Sequence, residues 1–224
     1  MSDFVDGIRW VTDGGNWWGP NGIAARLVEH LWYSLLATAL AALVGIPVGL
    51  WVGHTGHGRW ITANVTNVLR AVPTVGVVTL LFVWRPLTLW PVLVALTVLA
   101  LPAVVLNTVA GVDSIEPTTR VAAQACGYRA SQQVLGVELP CALPLVLAGV
   151  RSAANQVIAT ATVAGFFGLG GLGRFLFTGY GTQRYDIVWG ATVLVIALVL
   201  LVEAVFAVLQ RTLVSPGVRP ATAT

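Results

Sequence analysis

Along the 224 residues, long apolar runs alternate with shorter polar stretches. A helix crosses about 30 Å of hydrocarbon with about 20 mainly apolar residues. Five runs reach that length, at about 30–52, 61–84, 87–109, 142–166 and 187–209. Helix is the regular form open to each of them, because an open sheet edge cannot be satisfied in lipid. The pattern predicts an all-α, polytopic membrane protein with five transmembrane helices. The second run is the least uniform. Its first half carries Thr62, Asn64, Thr66, Asn67 and Arg70, which places that half at the membrane interface, and Pro73 predicts a kink. Residues 1–29 and 211–224 flank the five-span domain of residues 30–210. The two longest polar interruptions, 111–141 and 168–186, fall on opposite sides of the membrane. Arginines near the span ends divide evenly between those sides, so the positive-inside rule does not orient the chain.

Composition supports lipid as the main solvent. Hydrophobic residues make up 57% and charged ones only 9%, against about 25% charged in a soluble domain. All 12 basic residues are arginines, scattered along the chain at a net charge of +3. That speaks against a nucleic-acid surface. Cys126 and Cys141 lie far from any other ligand-type cluster, so no metal site is expected. Asp3, Asp6 and Asp13 outweigh Arg9 at the N-terminus, unlike the positive start of a cleaved signal.

The chemistry the chain lacks narrows its function. A P-loop needs a lysine to reach the phosphates, and there is none. Gly168, Gly170 and Gly173 match a dinucleotide-binding spacing but follow a spanning helix rather than a strand, so a turn is expected there. His30, His54 and His57 sit at span edges, which argues against a haem subunit. No catalytic residues and no cofactor bound by this chain are expected. An ion-coupled secondary transporter would need intramembrane carboxylates and paired repeats, and Glu203 is the one candidate. A membrane-embedded enzyme would need clustered acids, bases or nucleophiles, and none is visible.

The polar loop carries the informative motif. Residues 121–140 read VAAQACGYRASQQVLGVELP. Asp113 is placed to cap a short helix, with Glu116 reaching back from its first turn. That helix passes through Ala122, Ala123 and Ala125 and stops at Gly127, where a left-handed turn is expected. Ser131 is placed to cap a second short helix ending before Pro140. The result is a helix–turn–helix elbow with a small-residue surface, suited to docking in a groove.

This stretch resembles the coupling loop of ABC-importer permeases, whose pattern is Glu-Ala-Ala, three residues, Gly, nine residues, Ile, one residue, Leu-Pro. Ala122, Ala123, Gly127, Leu139 and Pro140 fall in register, Val137 stands for Ile, and Val121 stands where the family usually has Glu. Residues 137–173, VELPCALPLVLAGVRSAANQVIATATVAGFFGLGGLG, are similar to permeases of osmoprotectant importers, which carry glycine betaine, choline, carnitine or proline betaine. Methionine-importer permeases share the five-span plan and the glycine-rich loop, so a methionine or other amino-acid permease is the alternative.

The resemblance implies a type I ABC importer permease fold in a bacterial plasma membrane, with the 111–141 loop cytoplasmic. Five spans then put the N-terminus outside and the C-terminal tail in the cytoplasm. The partners implied are two ATPase subunits, a second permease subunit, identical or paralogous, and an extracytoplasmic solute-binding protein. ATP hydrolysis would belong to the partner subunits. Coupling to them would run through Ala122, Ala123, Gly127, Val137, Leu139 and Pro140.

Within the spans, polar residues usually face the bundle interior or a wet pathway. Asn155, Gln156, Thr160 and Thr162 are candidates to line a translocation path, with interhelical hydrogen bonding as the other use. Arg151 and Glu203 lie at matching depth in spans four and five, so an ion pair is expected. Arg70 is a rival partner for Glu203, and Arg151 could instead snorkel to the interface. Gly45, Gly49 and Gly53 repeat every four residues in span one, a spacing that permits close helix packing.

Overall fold

A computed structural model describes residues 2–71, 73–84 and 88–214. Eleven α-helices are described: α1 (Ser2–Thr12), α2 (Ile23–Thr55), α3 (Arg59–Ala71), α4 (Thr74–Trp84), α5 (Trp90–Asp113), α6 (Pro117–Ala125), α7 (Ala130–Gln133), α8 (Leu139–Ala161), α9 (Val163–Phe166), α10 (Gly173–Gly181) and α11 (Tyr185–Leu213). No strand is described among these residues. A π turn over Val134–Glu138 joins α7 to α8, so the chain runs helically over Ala130–Phe166.

Among the described residues, four stretches are long and apolar enough to cross a membrane alone: Ile23–Thr55, Trp90–Asp113, Ala130–Phe166 and Tyr185–Leu213. The second expected span, 61–84, is not one helix. It divides into α3 and the 11-residue apolar α4 on either side of Pro73. Proline disfavours helical backbone at the residue before it and removes a donor, so the expected kink is a full break. The five-span plan is kept, with the α3–α4 pair in second place. Leu87, given above as the start of the third span, lies outside the described residues, as does most of the 211–224 tail.

Helix α2 starts at Ile23, seven residues before the expected span start at 30. Arg26 and Glu29 are tolerated in its first turns because their partners come from the protein, as described below. His30 is therefore not at a span edge but inside α2 and fully buried.

Helix α5 is the centre of the bundle. Its apolar window is 61% buried, against 11% for α11 at the periphery. The main core joins Ala37 and Ala41 of α2, Leu96, Ala100 and Val104 of α5, and Ala153, Val157 and Ala161 of α8. These small side chains bring the three helices close together.

The glycine repeat of α2 lies on α5. A methyl group added at Gly45 would stand 2.9 Å from a Val104 methyl, at Gly49 2.5 Å from Thr108 Cβ, and at Gly53 2.7 Å from Val112 Cβ. Contacts that short do not occur between side chains, so α2 can approach α5 only because these positions lack a Cβ. Gly49→Ala should thus push the helices apart and cost about 1–3 kcal/mol. Its melting temperature in detergent should fall, while Val48→Ala on the exposed face should melt like the parent. Equal melting of Gly49→Ala and the parent would contradict this packing account.

Candidate functional site

The elbow of residues 114–138 is built differently from the sequence expectation. Asp113 does not cap α6; it is the last residue of α5, and its carboxylate accepts a 2.6 Å hydrogen bond from Arg59 at the start of α3. Glu116 occupies the N-cap position of α6 without a side-chain cap bond, and Pro117 opens the helix. Ser131 does not cap α7. Arg129 holds the N-cap position, and its backbone N–H donates to Gln132 Oε1 at 2.9 Å. Asp113 and Ser131 are both taken up inside helices that run on past the expected boundaries.

The second short helix does not end before Pro140 either. Pro140 has no N–H to give, and in a regular α-helix its ring would meet the carbonyl four residues back. The π turn widens the coil there, with Leu139 N–H donating to Val134 O. Pro140 then falls in the first turn of α8, where a missing N–H costs nothing. Gly127 ends α6 at φ +80°, with open space where a Cβ would be.

Of the coupling residues read from the motif, Ala122, Gly127 and Pro140 are exposed, Val137 and Leu139 are half-buried, and Ala123 is buried. The exposed side of the elbow is apolar at Val121 and Leu135. At its turn and along the second arm lies a concavity of about 670 Å³, lined by Gly127, Tyr128, Ser131, Gln132 and Leu135 among others.

Glu138 joins this elbow to the bundle, and the sequence reading passed it over. Its side chain is fully buried. One carboxylate oxygen meets His54 Nδ1 of α2 at 2.9 Å. The other accepts from Gln133 Nε2 of α7 at 3.1 Å and faces Arg120 Nε of α6 at 3.5 Å. Arg120 also donates to Val112 O near the end of α5. One carboxylate thus gathers α2, α6 and α7 at the foot of α8. The available signal was that Glu138 is the sole acidic residue between Glu116 and Asp186 and sits between apolar Val137 and Leu139.

The opposite end is organised by α2 and the glycine-rich loop before α10. Gly171 N–H donates to Glu29 Oε2 at 2.9 Å, and Arg26 holds the same carboxylate at 2.8 Å. Tyr33 Oη donates to Leu169 O at 2.8 Å, and His30 Nε2 lies 2.9 Å from Ile158 O of α8. Residues 26, 29, 30 and 33 share one face of α2, so this face clamps both the loop and the end of α8. Beside it, Trp10, Trp18, Arg26, Arg174, Phe175 and Arg184 are among the residues lining a concavity of about 570 Å³.

The candidate path residues divide. Asn155 Nδ2 donates to Glu203 Oε2 of α11 at 2.7 Å, so this side chain is used between helices. Thr160 and Thr162 bond back to the carbonyls of Gln156 and Ala159 in their own chain segment. The side chain of Gln156 is exposed and shares an exposed face of α8 with Ser152 and Ala159. The structure brings Arg151 and Glu203 together as an ion pair, each about one-third exposed. The Arg70 side chain lies outside the described residues.

The family model described as a binding-protein-dependent transport system inner membrane component matches residues 45–215. The chain is 30% identical to the carnitine transport permease protein OpuCB of Listeria monocytogenes, over 86% of this chain and 88% of that protein. It is 28% identical to the choline transport system permease protein OpuBB of Bacillus subtilis, over 87% and 89%. It is 26% identical to the osmoprotectant import permease protein OsmW of Salmonella typhimurium, over 96% and 100%. Among solved structures, a chain of the inward-facing MetNI methionine ABC transporter superposes with a TM-score of 0.72 at 24% identity. It covers 84% of this chain and 96% of that one, and it establishes likeness of fold.

Two expectations follow from these geometries. Glu138→Gln keeps the shape of the joint but removes the charge facing Arg120. Leaving such a group poorly matched costs about 2 kcal/mol. The purified variant should melt lower, and its elbow should be cut faster by trypsin at Arg120 and Arg129. Parental melting and parental cleavage together would remove Glu138 from this role. Glu203→Gln leaves Arg151 uncompensated at membrane depth, at about 2.5–3.5 kcal/mol. It should lower the yield of folded protein more than Glu203→Gln combined with Arg151→Gln. A double variant as poor as the single one, or poorer, would show that the pair is not a unit.

Proposed function

The chain belongs to the family of binding-protein-dependent transport system inner membrane components, and we propose that it is the permease subunit of an ATP-driven importer for a quaternary-ammonium osmoprotectant such as glycine betaine, choline, carnitine or proline betaine. One observation carries the solute class. The likeness to carnitine and choline permeases runs nearly the full length of both chains. The likeness to the methionine transporter is one of fold and does not bear on the solute.

In this reading the elbow faces the cytoplasm and docks one of two ATPase subunits. The exposed apolar edge at Val121 and Leu135 and the concavity behind it support that use. The glycine-loop end and α1 face outward, toward a solute-binding protein, and the C-terminus is cytoplasmic. The chain is a multi-pass protein of the bacterial plasma membrane and binds no cofactor of its own. ATP hydrolysis belongs to the partner subunits. A second permease, identical or paralogous, completes the path.

Transport then runs by alternating access. ATP binding closes the ATPases and the elbow moves with them. Glu138 passes that movement to α2 through His54 and to α8 through its own backbone. The exposed stripe of Ser152, Gln156 and Ala159 on α8 is small and polar, whereas the exposed residues of α11 include Ile196, Leu200, Leu201, Val205 and Val208. The α8 stripe suits a wet path and the α11 face suits lipid.

The complex reconstituted in liposomes should take up at least one of labelled glycine betaine, choline and carnitine in an ATP-dependent, saturable way. Uptake of methionine with none of the three would overturn the assignment.

A further inference from the structure

At the glycine-loop end, four phenylalanines from three segments touch ring to ring. Phe82 of α4 lies 4.8 Å from Phe167, Phe167 lies 5.2 Å from Phe166 of α9, and Phe166 lies 5.2 Å from Phe177 of α10. The first two are half-buried, but Phe166 is 60% and Phe177 42% exposed. The planes of the last two pairs meet at 87° and 65°, so the row turns ring faces in more than one direction. Phe166 also continues the exposed stripe of α8. Positions 152, 156, 159, 163 and 166 follow at steps of three and four across the α8–α9 junction at Thr162, with Val163 half-buried between the exposed positions. The ring row therefore stands at the mouth of the face that carries Gln156.

A cation stands beside it. Arg174 lies one turn before Phe177 on the same face of α10. It is exposed, and its Nη1 donates to Gly168 O at 3.2 Å. Among the described residues no carboxylate lies within ion-pair distance of Arg174, whereas its neighbours Arg26 and Arg184 are paired with Glu29 and Asp186.

We infer that Arg174 and the row of Phe82, Phe167, Phe166 and Phe177 form a transit site for zwitterionic betaines, in which ring faces hold the quaternary ammonium and the guanidinium holds the carboxylate. This rests on the quaternary-ammonium reading above. A tetraalkylammonium has no N–H to donate, so ring faces are the protein groups best matched to it. A guanidinium without a carboxylate partner can pair with one through its N–H donors. The same guanidinium repels a solute that is only a cation. The site therefore favours glycine betaine and carnitine over choline, which lacks a carboxylate.

The test is uptake by the reconstituted complex at saturating, solute-loaded binding protein, so that the partner's own affinity drops out. Assembly of each variant is scored by copurification with the ATPase. Phe166→Leu and Phe177→Leu keep an apolar side chain but remove the ring face, and each should lower maximal uptake of glycine betaine about fivefold. Phe166→Trp should retain it. Arg174→Gln should lower the ratio of glycine betaine to choline uptake about tenfold, and Arg174→Lys should restore part of it. Leucine variants that transport like the parent would show that the rings merely pack or face lipid, and would overturn the inference. So would an unchanged betaine-to-choline ratio in Arg174→Gln. A parent complex that carries no quaternary-ammonium solute would overturn the solute assignment and this site with it.

Discussion

A buried carboxylate needs donors around it, and Glu138 finds them on three separate segments of chain. His54 comes from the far end of α2, Arg120 from α6 and Gln133 from α7. Each of these groups is at least partly withdrawn from water at that point, so removing the carboxylate leaves His54 and Gln133 without this partner, while Arg120 keeps Val112 O. The elbow is therefore not a loose connection between α5 and α8. It is fixed to the bundle at its foot, while its exposed apolar edge remains free to be gripped. A loop that hung from its two ends alone would absorb a push by bending. In the proposed coupling, one anchored through a shared carboxylate passes the push on to α2 and α8.

Helix α2 then matters as a strut. Its 33 residues span about 50 Å at 1.5 Å per residue. At one end it carries His54 against Glu138. In the middle Gly45, Gly49 and Gly53 seat it on α5 without a layer of side chains between them. At the other end Arg26, Glu29, His30 and Tyr33 hold the glycine-rich loop and the end of α8. Close backbone packing seats α2 on α5, and the polar contacts at its two ends tie it to the foot of the elbow, the glycine-rich loop and α8. In the proposed coupling, these contacts give displacement at the elbow a route to the loop before α10.

The same features explain what could and could not be read from sequence. Long apolar runs announce membrane helices because lipid leaves the backbone no other partner, and the break at Pro73 and the turn at Gly127 follow from local backbone chemistry. Caps were misplaced at Asp113 and Ser131 because a capping residue is recognised by its type, while helix ends here are set by tertiary packing that lets α5 run on. His30 and the start of α2 were misplaced for a related reason. Arg26 and Glu29 look like water-facing residues, yet their partners are in the protein. Glu138 was overlooked because its most distant partner, His54, lies 84 positions away, and no local spacing records that contact. Arg151 and Glu203 were legible because charge in an apolar segment is itself conspicuous, whereas the part Asn155 plays beside Glu203 was not.

The contrast between α8 and α11 carries the last step. Both are long, apolar and in contact with each other, yet their exposed faces differ in kind. Lipid gives no reason to place Ser152, Gln156 and Ala159 on an outer surface, and every reason to place Leu200, Leu201 and Val205 there. The proposed reading therefore gives the bundle a lipid side, marked by α11, and a path side, marked by the α8 stripe. One chain cannot enclose a path with a single such stripe, since its open side would face hydrocarbon. In the proposed reading a second permease faces the first and buries the two stripes against each other, an arrangement that the difference between the exposed faces of α8 and α11 supports.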